Sequence, residues 1–79
     1  MPLTLVPEEG QWLAEVTEIA EDSSLNLRQE PSLNAVIVMR LYTGQELLVQ
    51  ERCEEEGWVK VNMDSAEGYV MESFLTRIP

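Results

Sequence analysis

Apolar and polar residues alternate with a period near two along most of this chain, between breaks at Pro7, Gly10, Pro31, Gly44, Gly57 and Gly68. Trp12, Ala14 and Val16 alternate with Leu13, Glu15 and Thr17; Leu25 and Leu27 flank Asn26; Leu47 and Val49 flank Leu48; Val59 and Val61 flank Lys60. Successive side chains of a strand point to opposite faces, so this spacing predicts short strands with one wet face. Ala35 to Leu41 is apolar except for Arg40 and rich in β-branched residues. That composition fits a strand buried on both sides or carrying a bulge. The stretch "GQWLAEVTEIAED" also carries a helical spacing, Trp12, Leu13, Val16, Ile19 and Ala20. Its Trp, Val, Thr and Ile content favours a strand.

The breaks have their own chemistry. In "YTGQE", Tyr42 to Glu46, Gly44 allows a turn with positive φ, and "NMDSAEG", Asn62 to Gly68, reads as a hairpin loop. "MESFL", Met71 to Leu75, lacks alternation, and one helical turn there brings Met71 and Phe74 to one side. The opening "MPLTLVPEEG", with two prolines, reads as an extended arm or edge strand. Short strands with regular turn signals predict an all-β small barrel or sandwich.

Composition narrows this. Seventy-nine residues make one domain, divided here into an arm over 1–11 and a barrel over 12–79. A chain of this size buries only about 60 per cent of its unfolded surface. Hydrophobic content of 44% with 25% charged residues is that of a folded chain. Fifteen acids against five basic residues give a net charge of -10. Phosphates repel such a chain, which argues against nucleic acid and against an anionic membrane surface. The longest apolar run, Ala35 to Met39, is far below the ~20 residues that span a bilayer, so no membrane insertion is expected. The first residues lack the basic and apolar regions of a signal peptide. A chain complete at residue 1 is expected in the cytoplasm; a domain excised from a larger bacterial protein would belong to the cell envelope or be secreted.

Charge and residue types also bear on chemistry. The chain has no histidine and one cysteine, Cys53. That excludes an internal disulfide and leaves a zinc site without ligands. Cys53 is in phase with Leu47 and Val49, as a small residue ending a strand, and Glu54 and Glu55 raise its pKa. No glycine-rich phosphate loop or calcium loop is present. Paired carboxylates could serve a hydrolase only in a deep cleft, for which a barrel of this size has little volume. The expectation is no enzyme, no catalytic residue, no metal and no cofactor.

Three pieces in order carry a resemblance. "SLNLRQEPS" (Ser24 to Ser32), "VMRLYTGQELLV" (Val38 to Val49) and "EGWVKV…EGYVMESFL" (Glu56 to Leu75) resemble the bacterial SH3-like (SH3b) domain family, over about Ala14 to Ile78. The resemblance implies a barrel of five to six short antiparallel strands with a long first (RT-type) loop and a helical turn before the last strand. Leu25 and Leu27 then face the core, Pro31 stiffens the long loop, Gly44 permits a reversal, and Gly68 keeps backbones close where strands cross. Arg28 is better explained by a nearby carboxylate or carbonyl than by a ligand.

Domains of this family bind peptides or cell-wall fragments, and their eukaryotic relatives bind proline-rich peptides in an aromatic groove. "GYVMESFL" resembles the eukaryotic "GYIPSNYV", which places Trp58, Tyr69, Met71 and Phe74 along a groove. Met71 stands where the proline would be and Phe74 where a tyrosine would be, so a proline-rich ligand does not fit. The resemblance implies a binding or targeting module within or beside a larger protein. The alternative is an assembly domain that packs on a neighbouring domain or forms a homodimer through its aromatic patch. Glu54, Glu55 and Glu56 before Trp58, and Glu21, Asp22 and Glu30 in the first loop, are candidate contacts for a cationic group held over the indole. The same acids also read as a solvated surface with Trp58 as a lid.

Overall fold

The computed structural model describes residues 6–19, 22–63 and 66–78. Among them are seven strands: β1 Trp12–Val16, β2 Leu25–Arg28, β3 Ile37–Leu41, β4 Glu46–Arg52, β5 Trp58–Met63, β6 Ala66–Met71 and β7 Leu75–Arg77. One 3-10 turn, Glu72–Phe74, precedes β7. All neighbours are antiparallel, in the order β3-β2-β6-β5-β4-β1-β7. The all-β barrel with a helical turn before the last strand is therefore present. It has seven strands rather than five or six, because the three residues after the turn make their own ladder, Val16↔Leu75 to Ala14↔Arg77.

The period of two sets the core. Ala14 and Val16, Leu25 and Leu27, Leu47 and Val49, Val59 and Val61, and Val70 all meet in one buried cluster. Leu41 of β3 joins them although β3 and β1 lie near opposite ends of the strand order, so the sheet is rolled around its apolar face. Full burial of each Leu or Val contributes about 1.5–3 kcal/mol. The "GQWLAEV" ambiguity resolves to strand because β4 and β7 take up both edges of β1. The opening segment is a turn over its described part: the Gln11 amide donates to the Glu8 carbonyl and the Glu8 amide to Gln11 Oε1.

The expected long loop is interrupted. β2 and β3 pair as a hairpin whose tip is built by its own sequence. The Ser32 amide donates to the Glu30 carbonyl at 2.8 Å, a γ-turn centred on Pro31, whose ring fixes φ near the required value. The Ala35 amide then closes a turn on the Ser32 carbonyl, and Ser32 Oγ accepts from the Asn34 amide. Arg28 Nη1 donates to the Ala35 carbonyl at 3.0 Å and staples the tip to β2. Its partner is a carbonyl, one of the two groups expected for it.

One expectation is corrected. The Ala35–Leu41 run is not buried on both faces: Val36 is 66% and Val38 45% exposed. β3 is an edge strand that pairs only with β2, so it has no neighbour to cover it. The other half of that reading holds, since pairing passes from Leu27↔Met39 to Arg28↔Ile37 and leaves Val38 as a bulge. The β5–β6 hairpin is also tighter than "NMDSAEG" suggested, because its ladder runs on to Met63↔Ala66.

Gly68 joins the two halves. β2 meets β6 at Arg28↔Tyr69, and a Cβ on Gly68 would lie 2.6 Å from the Arg28 carbonyl oxygen and 2.9 Å from Leu27 Cγ. Gly68→Ala is therefore expected to destabilise the domain by about 1–3 kcal/mol through overpacking against backbone. Urea unfolding followed by tryptophan fluorescence measures this, and an unchanged midpoint would contradict it.

Candidate functional site

Strands that send Leu27, Val59 and Val70 inward must send their alternate residues to the opposite face. There the register sets Trp58 beside Met71 and Tyr69 between Lys60 and Arg28. Trp58 is outside the core cluster yet only 9% exposed. The chain after β1 helps form the cover, since the Thr17 and Glu18 amides donate to the Phe74 carbonyl at 3.0 and 3.5 Å. From the other side, the Glu72 amide donates to the Gly57 carbonyl at 2.8 Å and fixes the 3-10 turn. Gly57 can make that loop because its φ is 88°, the left-handed region at the third position of the Glu55–Trp58 turn.

These elements enclose a cavity of about 390 Å³. Trp58, Met71 and Phe74 line it together with Ile19, Leu25 and Leu33, and its polar groups come from Glu18, Ser23, Ser24, Asn26 and Arg28. Tyr69 lies outside it. It stands two residues further along β6, away from the 3-10 turn, and lines a separate depression of about 270 Å³ with Pro31, Cys53, Glu54 and Glu55. Ile19, Leu33 and Arg28 are cavity residues that the sequence does not mark as a groove. Leu33, an apolar residue in the polar stretch after Pro31, is the available signal.

The acids divide differently from expectation. Glu54 and Glu56 flank Trp58 in an open depression of about 670 Å³, while Glu55 faces the Tyr69 side. Asp22 and Glu30 are exposed and line none of these three, and Glu21 lies outside the described residues. Among the described residues, the acids of the two loops do not line one cavity. Arg52 lines the 670 Å³ depression as well, paired with Glu72. Arg52 Nε and Nη2 donate to the two oxygens of Glu72 at 3.1 and 3.0 Å. This fork ties the end of β4 to the 3-10 turn.

Three groups titrate away from their ordinary values: Glu72, Cys53 and Arg52, whose guanidinium is raised by its hydrogen bond to Glu72 and by that carboxylate's charge. The hydrogen bond from Arg52, with its charge, holds the Glu72 carboxyl below the usual carboxylate range, although partial burial opposes it. Burial raises the Cys53 thiol, Glu55 and Glu51 raise it further, and Lys60 acts the other way. Cys53 is thus a protonated, weakly nucleophilic side chain at neutral pH. Its expected phase with Leu47 and Val49 is lost because the β4–β5 register skips Gln50. Among the described residues no group of three or more acids or cysteines forms a metal-sized cluster.

A family model of the bacterial SH3 domain matches residues 23–76. The chain belongs to the bacterial SH3 domain family. The match includes all three motif pieces and every residue of the cavity except Glu18 and Ile19. Among solved structures, this bacterial SH3 domain is similar to NlpC2 from Trichomonas vaginalis, with a TM-score of 0.68 at 17% identity. The alignment covers 84% of this chain and 23% of that one, so the chain spans less than a quarter of its neighbour and the likeness is one of fold. No curated protein sequence matches the chain. Bacterial SH3 domains are commonly binding or targeting modules.

The ion pair gives a pH test. Glu72 ionises more readily in the folded domain, so its charge stabilises the fold above the unfolded carboxyl value of about 4.3. That contribution disappears as pH falls through the depressed folded value. Arg52→Gln is expected to be less stable than the parent at neutral pH, with the difference closing in acid. Denaturation midpoints of both proteins across that range measure it, and a gap independent of pH would contradict the assignment.

Proposed function

We propose that this domain is a non-catalytic module that binds a short extended peptide, including the peptides of cell-wall fragments. The observation that carries this reading is the cavity over Trp58, Met71 and Phe74, which has an apolar floor and a rim of hydrogen-bonding groups. Small-ligand sites combine those two features, and about 300 Å³ is the lower end of their volumes. Trp58 supplies a rigid, buried floor, and Phe74 is held by the backbone bonds at its carbonyl. Among the described residues, the only titratable side chains of this cavity are Glu18 and Arg28, which gives the reaction chemistry of an enzyme no support there.

A second reading, assembly, is favoured by a different surface. Val36, Ile37 and Val38 are exposed along the β3 edge, next to Leu33 and Tyr42. The hairpin from Leu25 to Tyr42 holds Arg28 and Arg40 against Glu30 alone, in a chain of net charge -10. A second copy would meet least repulsion there. Concentration-dependent sedimentation distinguishes this reading from a monomeric binder.

Titration of isotopically labelled domain with muropeptides, basic peptides and proline-rich peptides tests the main reading. Amide and side-chain shifts are expected at Trp58, Met71 and Phe74, larger than at Tyr69, for the muropeptides or another extended peptide. Phe74→Ala is expected to weaken that binding about tenfold or more, because the ring would no longer bury apolar surface against the ligand. Spectra unmoved by all three ligand classes would overturn the reading.

A further inference from the structure

Arg28 and Glu18 are, among the described residues, the only charged side chains of the Trp58 cavity. Among the described residues neither has an ion-pair partner, although the chain holds fifteen acids. Arg28 commits one N–H to the Ala35 carbonyl. A guanidinium has five, so the planar fork remains available to a carboxylate. Arg28 is half-buried and fixed by that bond, whereas Glu18 is exposed.

The fold separates the two charges. Arg28 is paired across from Tyr69, while the Glu18 amide is bonded to the Phe74 carbonyl. Between these points β6 runs from Tyr69 to Met71 and the 3-10 turn from Glu72 to Phe74. At strand and 3-10 rises this is roughly 13 Å of backbone. An extended chain advances about 3.3–3.6 Å per residue, so the backbone path between these anchors equals about three to four residues and the ligand it spans is short. The floor between the charges is Trp58, Met71 and Phe74.

Resting on the peptide-binding reading above, we propose that the cavity selects a short peptide by its two free ends. Arg28 takes the α-carboxylate, Glu18 takes the α-ammonium, and the aromatic floor takes the intervening side chains. Charge complementarity fixes the direction: the peptide's C-terminus lies toward β2 and its N-terminus toward the segment after β1. The ligand is thus a short zwitterionic peptide, and an internal stretch of a longer chain is excluded because it carries neither end charge. Ordinary peptides and wall-derived peptides with a D-configured end share this chemistry.

Binding of four forms of one alanine- and leucine-containing tripeptide tests this by amide-shift titration: free, N-acetylated, C-amidated, and free with a D-residue at its C-terminus. Blocking either end is expected to weaken binding about tenfold or more, the usual worth of a hydrogen bond to a charged group. The D-form binding more tightly than the L-form identifies a wall source, and the reverse an ordinary peptide source; both support recognition of the ends. Glu18→Gln should abolish discrimination between free and acetylated peptide while keeping discrimination at the C-terminus. Arg28→Gln, which removes the charge, should do the opposite, and Arg28→Lys, which keeps the charge but not the fork, should restore part of the discrimination at the C-terminus. Equal affinity for all four forms would overturn this proposal and leave the peptide-binding reading intact. No binding of any form would overturn both.

Discussion

The close approach of β2 and β6 at Gly68 is the contact on which the rest of this domain depends. Two hairpin systems, β2–β3 and β4–β5–β6, meet there through the Arg28↔Tyr69 pair. The approach exists because residue 68 has no side chain: the Arg28 carbonyl occupies the space a Cβ would need. Leu27 packs into the same space from the other side and carries the hairpin into the core. If this contact opened, β2 would leave the sheet, and with it one wall of the cavity and the charge that marks one of its ends.

The two faces of the same strands do different work. Inward residues are aliphatic and buried, and among the described residues no polar side chain joins them. Outward residues on β2, β6 and β5 are amphipathic, and the chain returns over them twice, after β1 and at the hairpin tip. Trp58 is buried by this cover rather than by the core. That distinction gives a binding cavity instead of a thicker core, because segments lying over a sheet leave gaps that interdigitated strands do not. The Arg52–Glu72 fork and the Gly57–Glu72 backbone bond then hold the 3-10 turn, and through it Phe74, at a fixed height above the sheet.

Acidity acts on this fold more as a background than as a recognition device. Glu54, Glu55 and Glu56 project from the tight loop before Trp58 and divide between two depressions. Arg52, paired with Glu72, lines both of them. The local charges that differ from the background are few, and Arg28 is the one placed in the apolar cavity. In a field of net charge -10, a single arginine held by a carbonyl and, among the described residues, left without a carboxylate is a more selective feature than another acid.

Much of this was legible in the sequence. Period-two spacing, glycines in turns and the motif pieces from Ser24 to Leu75 determined the strands, the core residues Leu25, Leu27, Val59 and Val61, and the turn that brings Met71 to Phe74. These are local properties, fixed by alternation and by backbone freedom within a few residues. Tertiary structure decided what alternation leaves open. An apolar run such as Ala35–Leu41 has the same composition at an edge as in a sheet centre, and only the strand order exposed it. Tyr69 and Met71 share a face by parity, but the fold separates them, because the 3-10 turn and the segment after β1 cover one and not the other. Glu18 and Arg28 are ten residues apart in sequence; whether they face one cavity depends on how two loops cross a sheet, which no local pattern encodes.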